Sequence, residues 1–66
     1  MNDYGFLASE CGVNLKNQVL HSAAGYYIGT LEDGMPYSRE SLEYFPSQEE
    51  AETALKTNRW TQRIQP

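Results

Sequence analysis

The stretch GYYIGTLEDGMPYSRESLEYFPSQEEA, residues 25–51, decides the fold. It begins with six residues that are dense in aromatic and β-branched side chains, which favour a half-buried strand. The Asp33-Gly34 pair that follows supplies the positive φ angles of a tight turn. Residues 24–45 are therefore predicted to form an antiparallel β-hairpin.

A helix is predicted directly after the hairpin. Ser47 is placed to cap the free amides of a first turn, and Glu50 three positions later completes a capping box. Apolar residues then recur at helical spacing from Ala51 onward, and Asn58 tolerates the left-handed conformation that ends many helices. We expect a helix over residues 47–58 that packs on the hairpin.

The N-terminal part of the chain carries weaker signals. Apolar and polar residues partly alternate over residues 13–20, which is typical of an extended strand whose register is unclear. The antiparallel sheet is therefore predicted to have two or three strands. Residues 1–12 mix polarity without a sustained period and are predicted to be a flexible lead-in. Residues 13–66 are predicted to form a single small α+β domain.

The length and composition allow one core. A chain of 66 residues buries only about 60% of the surface that it exposes when unfolded. The single cysteine, Cys11, cannot form an intramolecular disulfide, and neither a signal-like start nor a membrane-length apolar run is visible. We expect a cytoplasmic protein without membrane contact. Since no covalent staple closes the fold, a homo-oligomer remains an alternative.

The acidic charge is concentrated in the middle of the chain. The formal net charge is −4, and the segment from Glu32 to Glu52 contains seven acids against Arg39 alone. An acidic face that carries tyrosines suits a basic protein partner, although acidic turns and helix starts also occur for capping and solubility alone. The predicted partner-binding residues are Glu32, Asp33, Glu40, Glu43, Glu49, Glu52, Tyr37 and Arg39. For Arg39, an ion pair with a neighbouring carboxylate is the competing structural interpretation.

The sequence offers little for catalysis or for metal and cofactor binding. His21 and Cys11 are a possible base and thiol, but their sequence separation does not place them in contact. No serine lies in a nucleophile-elbow motif, and Gly25 and Gly29 do not open a helix as a phosphate loop does. One histidine and one cysteine fall short of a zinc site. We expect no enzyme activity, no cofactor and no metal.

Direct binding of nucleic acid is disfavoured but is kept as an alternative. Tyrosines on a sheet can stack bases, and Arg59 and Arg63 would attract phosphate near the end of the chain. The acidic hairpin and helix start would repel a phosphate backbone. The tyrosines concerned are Tyr26, Tyr27, Tyr37 and Tyr44.

Several segments carry a resemblance to known proteins. SAAGYYIG at 22–29, PYSRES at 36–41 and the acidic-to-apolar run at 49–55 resemble a group of short uncharacterised proteins from bacterial plasmids, prophages and integrative elements. The resemblance covers roughly residues 22–55. The resemblance implies that the protein is encoded by a mobile genetic element. Such elements encode many small acidic inhibitors of host defence, including anti-CRISPR proteins. A second, weaker likeness is to the arm-binding domain of phage-type integrases, but those domains are expected to be basic.

Together these observations predict a small acidic interaction module of a mobile genetic element. Its expected partner is a basic surface on a host protein or nucleoprotein complex, which it would inhibit in the manner of an anti-CRISPR protein. The alternatives are a nucleic-acid-binding accessory domain and a structural or regulatory homo-oligomer.

Overall fold

The computed structural model describes residues 4–64, and it confirms the predicted α+β fold. Three antiparallel strands form one sheet in the order β1-β2-β3. The elements in chain order are α1 (Phe6–Glu10), β1 (Gln18–Ser22), β2 (Gly25–Glu32), β3 (Met35–Arg39) and α2 (Gln48–Thr57). Among residues 4–64, no helix has the length and apolar character that crossing a membrane requires.

The predicted turn at Asp33-Gly34 is confirmed. Both residues have positive φ angles, 53° and 77°, and the strands pair from Glu32 opposite Met35 onward. The Asp side chain tolerates this left-handed backbone, and glycine adopts it without steric cost. The local turn chemistry therefore sets where the hairpin closes.

The return strand is shorter than the sequence predicts. β3 ends at Arg39, and pairing resumes only at Phe45, which exchanges two backbone hydrogen bonds with Tyr26, at 3.0 and 2.7 Å. Between these points the amides of Glu40 and Ser41 both donate to the Ile28 carbonyl, at 2.8 and 2.9 Å. Two residues therefore face one, and the chain bulges outward between the two paired stretches.

The first strand and the C-terminal helix complete the core. β1 pairs with β2 from Gln18 opposite Gly29 to Ser22 opposite Gly25. α2 packs on β1 and β2, and its narrow apolar stripe is buried. The buried apolar side chains are Leu7, Ala8, Leu20, Tyr27, Ile28, Ala51 and Ala54.

Both predicted ends of α2 are confirmed. Ser47 is the N-cap, and its hydroxyl oxygen accepts a hydrogen bond from the Glu50 amide at 3.2 Å. Asn58 closes the helix in the left-handed conformation, with φ of 59°. These caps satisfy backbone groups that a helix cannot pair internally.

The helix α1 lies in the segment that was predicted to be a flexible lead-in, and sequence reasoning did not identify it. It packs against β3, and Leu7 and Ala8 are buried. Gly5 occupies the N-cap position and has no side chain with which to cap the helix. The free amides at this helix start must therefore find an acceptor elsewhere in the chain.

That acceptor is Glu40, whose exposed fraction is 0%. Its Oε1 accepts from the Leu7 amide at 2.9 Å and from Gln62 Nε2 at 2.7 Å. Its Oε2 accepts from the Ala8 amide at 3.2 Å and from Ser38 Oγ at 2.6 Å. The expectation that Glu40 belongs to an exposed acidic surface is wrong, because its carboxylate serves as the external cap of α1.

The hydrogen bonds also control the protonation of Glu40. Burial works to raise the pKa of this carboxyl, but the bonds from Ser38, Leu7, Gln62 and Ala8 together outweigh it and hold the pKa below its ordinary value. The carboxylate is therefore the stable form in the folded protein near neutral pH.

Gly5 is required by the same arrangement. A Cβ atom at this position would lie 2.6 Å from Glu40 Oε2 and 2.6 Å from Thr30 Cγ2. Such a separation is far below van der Waals contact, so only glycine lets the helix start approach the carboxylate.

The C-terminal segment runs beside residues 40–42. The Leu42 amide donates to the Thr61 carbonyl at 2.9 Å, and the Arg63 amide donates to the Glu40 carbonyl at 2.7 Å. Trp60 is half-buried beside this segment, whereas Ile64 is 76% exposed.

Replacing the helix cap Ser47→Ala should destabilise the domain by about 1 kcal/mol, the usual loss for an N-cap. In a domain of this size that change lowers the melting temperature by about 4–8 °C. Thermal unfolding followed by circular dichroism measures it. Ser9→Ala, in the exposed part of α1, is the matched control and should leave the midpoint nearly unchanged.

Glu40→Gln should destabilise the protein strongly at neutral pH, because one side-chain oxygen is replaced by an NH₂ group that faces existing donors. Each buried donor left without an acceptor costs about 1–3 kcal/mol. Urea unfolding at pH 7 measures the loss. Glu32→Gln, in the exposed turn, is the control that removes the same charge and should have little effect.

The cost of Glu40→Gln should also shrink on acidification. The folded-state pKa of Glu40 is depressed, so its stabilisation is complete above the unfolded-state pKa of about 4.3 and is lost as the pH falls through the folded-state pKa. The stabilities of wild type and variant should therefore converge below about pH 4. A gap that stays constant from pH 7 to pH 3 would contradict this role.

Candidate functional site

A groove of about 610 Å³ separates the start of β1 from α2. Its strand side is formed by Asn17, Gln18 and Val19. Its helix side is formed by Glu49, Glu52, Thr53, Leu55 and Lys56. The spacing of these helix residues places them on one side of α2, so the groove runs along the helix.

The groove combines acidic and apolar groups. Glu49 and Glu52 are exposed, and Glu52 accepts a hydrogen bond from Gln48 Nε2 at 2.7 Å, which orients its carboxylate. Val19 and Leu55 are half-buried and supply apolar surface. Such a surface fits a Lys or Arg side chain, whose stem is apolar and whose head is charged.

The two turn acids lie apart from this groove. Glu32 and Asp33 are exposed at the tip of the β2–β3 hairpin, and neither lines the groove between β1 and α2. Their carboxylates face solvent, as is usual for acidic turn residues. The sequence run of acids therefore does not translate into one continuous binding site.

Glu43 is bound within the protein. Its two carboxylate oxygens accept from the Thr61 amide at 2.9 and 3.0 Å. Partial burial works to raise the pKa of the Glu43 carboxyl, but the hydrogen bonds that it accepts, chiefly from Thr61, hold the pKa below its ordinary value. Glu43 thus binds the C-terminal segment by hydrogen bonds, and Glu40, which follows β3, binds the same segment through Gln62.

Arg39 organises the bulge between β3 and α2. Its Nε donates to the Ser41 carbonyl at 2.9 Å, and its Nη2 donates to the Leu42 carbonyl at 2.7 Å. Its Nη1 donates to the Tyr44 hydroxyl at 2.9 Å, and the guanidinium carbon lies 4.4 Å from the Tyr44 ring centroid. Within residues 4–64 Arg39 forms no ion pair with a neighbouring carboxylate, and neutral acceptors in the bulge take three of its donors instead.

The tyrosines do not form an open platform for bases. Tyr27 is buried and meets the edge of Tyr44 with ring centroids 5.9 Å apart. Tyr26 is stacked on His21 with ring centroids 4.4 Å apart. Tyr37 is 39% exposed, on the outer strand β3. Three of the four tyrosine rings are thus already in contact with another side chain.

The structure does not bring His21 and Cys11 together as a catalytic pair. His21 lines a cavity beside the β1–β2 turn, whereas Cys11 lines a different cavity between α1 and β3. In the part of the chain from residue 4 to residue 64, no three His, Cys, Asp or Glu side chains are grouped so as to hold a metal ion.

The strand side of the groove could not be identified from the sequence. Thr53 and Lys56 follow Glu49 and Glu52 at helical spacing, so the predicted helix already implied their position beside these acids. Asn17, Gln18 and Val19 carry no such signal, because local patterns do not reveal which strand lies beside α2. The groove is therefore a product of the tertiary structure.

Comparisons with protein-family models, curated proteins and solved structures found no match for the chain.

Proposed function

We propose that this protein is a small interaction module that binds a basic segment of a protein partner in the groove between β1 and α2. The observation that carries the proposal is the presence of two exposed carboxylates, Glu49 and Glu52, beside the apolar side chains of Val19 and Leu55 in one groove.

The chemistry of the groove selects the partner. A Lys or Arg side chain would lay its methylene groups on Val19 and Leu55 and direct its charged head toward Glu49 and Glu52. Lys56, which also lines the groove, would repel a second cation near its own end. The partner segment is therefore expected to carry its positive charge toward the start of α2 and apolar or acidic groups toward Lys56.

The charge of the molecule favours a protein over a nucleic acid as the partner. The formal net charge is −4, and the carboxylates of the groove would repel a phosphate backbone. A basic protein surface is attracted by the same field, and its association is accelerated at low ionic strength.

The resemblance to proteins of mobile elements supports an inhibitory role. In that setting the basic partner would be a host protein or a nucleoprotein complex, whose positive surface is normally available to nucleic acid. A small acidic domain bound there would exclude phosphate and inhibit the complex, as an anti-CRISPR protein does.

The double variant Glu49→Lys/Glu52→Lys should lose the partner while retaining the fold, because both side chains are exposed. Affinity capture from the native host, with quantitative mass spectrometry, compares it with the wild type. Glu10→Lys/Glu32→Lys is the matched control, since it makes the same change of charge at two exposed residues outside the groove. Thermal melts establish that both variants fold.

We expect the control variant to capture most of the partner. Any loss of capture should disappear at higher salt, because salt screens the long-range attraction. Equal loss in both double variants would show that net charge, and not the groove, binds the partner. Full capture by the groove variant would refute the proposed site.

A further inference from the structure

A second cavity, of about 400 Å³, lies on the side of the molecule where α1 meets β3. Three parts of the chain contribute to it: α1 and its C-cap, the end of β3, and the C-terminal segment. The lining residues are Leu7, Cys11, Tyr37, Ser38, Arg39 and Arg63. It shares no lining residue with the groove between β1 and α2.

The two arginines of this cavity have no carboxylate partner among residues 4–64. Arg39 donates to the Ser41 and Leu42 carbonyls and to the Tyr44 hydroxyl, and Arg63 Nη1 donates to the Arg39 carbonyl at 3.3 Å. Each guanidinium carries five N–H donors, so two remain on Arg39 and four on Arg63. Two cations with unused donors thus line one cavity of an otherwise acidic protein.

The nearest buried carboxylate does not neutralise them. Glu40 lies at the end of β3, but the amides of Leu7 and Ala8 and the side chains of Ser38 and Gln62 take its oxygens. No side-chain donor of either arginine is bonded to the Glu40 carboxylate. The positive charge of the cavity is therefore available to an external anion.

The remaining walls are neutral or apolar. Leu7 supplies apolar surface, and Tyr37 supplies an aromatic ring. Desolvation raises the pKa of the Tyr37 phenol, and the charge and side-chain hydrogen bond of Cys11 and the charge of Glu32 raise it further. The cavity offers an anion both cationic donors and a surface for an attached apolar group.

We propose that this cavity binds a small organic carboxylate, in which the carboxylate meets Arg63 and Arg39 and a compact apolar group lies against Leu7 and Tyr37. The planar guanidinium fork matches the geometry of a carboxylate and binds it with two parallel hydrogen bonds. The volume of about 400 Å³ falls within the range of roughly 300–1,000 Å³ that is usual for small-molecule sites.

Three probes separate the contributions of charge and apolar surface. Benzoate carries both features, benzyl alcohol has the ring without the charge, and inorganic phosphate has charge without the ring. Binding is measured by NMR chemical-shift titration and by the rate at which iodoacetamide alkylates Cys11, which is exposed and lines the cavity. Benzoate should saturate, shift the amides of the lining residues and slow the alkylation, and both other probes should do so more weakly.

The variant Arg63→Gln should weaken benzoate binding by roughly tenfold or more, the usual effect of losing a hydrogen bond to a charged group. Arg59→Gln makes the same change of charge at an exposed residue outside the cavity and should leave binding within about twofold. The groove variant Glu49→Lys/Glu52→Lys should also bind benzoate normally, which keeps this site distinct from the proposed protein-binding groove.

The wild-type titrations test the proposal even if Arg63→Gln fails to fold. Absence of saturable benzoate binding, shifts scattered away from the cavity, or unprotected Cys11 would refute it. Equal binding of phosphate and benzoate would show a general anion surface and would refute the carboxylate site. The site would also be refuted if Arg63→Gln and Arg59→Gln weakened benzoate binding equally.

Discussion

A carboxylate with no exposed surface connects three regions of this small protein that are distant in sequence. Glu40 binds amides 33 and 32 residues before it, at Leu7 and Ala8, and a side-chain amide 22 residues after it, at Gln62. Removing a charged group from water costs several kcal/mol unless hydrogen bonds replace its hydration. Four donors do so here, and they come from three segments: two from α1, one from β3 and one from the C-terminal segment.

This arrangement makes the segments depend on one another. If α1 moved away, the carboxylate would lose two amide donors, and the N-terminal end of the helix would lose its side-chain cap. If the C-terminal segment moved, Glu40 would lose Gln62, and Glu43 would lose Thr61. The sheet and α2 supply most of the buried apolar side chains, and Glu40 adds hydrogen bonds that hold both ends of the described chain on that core.

The parts of the fold that were predicted correctly are those with local causes. The turn at Asp33-Gly34 depends on the backbone preferences of two adjacent residues, and the start of α2 depends on Ser47 and Glu50, three positions apart. The helix α1 has no comparable signal, since its cap lies more than thirty residues away. For the same reason Glu40 was grouped with the other acids of its segment in one acidic face, whereas contacts with α1 and the C-terminal segment bury it.

Charged surfaces, like the buried position of Glu40, could not be predicted from the order of residues in the sequence. Seven acids in one sequence segment suggested a single acidic surface, but tertiary contacts engage Glu40 and Glu43 and separate the hairpin tip from the groove beside α2. Conversely, Arg39 and Arg63 are 24 residues apart and have no pattern in common, yet they line one cavity. A net charge computed along the chain describes composition, whereas binding depends on which charges lack internal partners.

The close approach at Gly5 affects which substitutions this protein can accept. The position lies in a segment whose sequence gives no sign of constraint, and its neighbours Tyr4 and Phe6 are exposed and half-buried respectively. Nevertheless, the smallest possible side chain would collide with both Glu40 and Thr30. In a scan of all single substitutions, residue 5 should therefore rank with the interior of the sheet in its intolerance, and selection should preserve this glycine as strictly as a core residue.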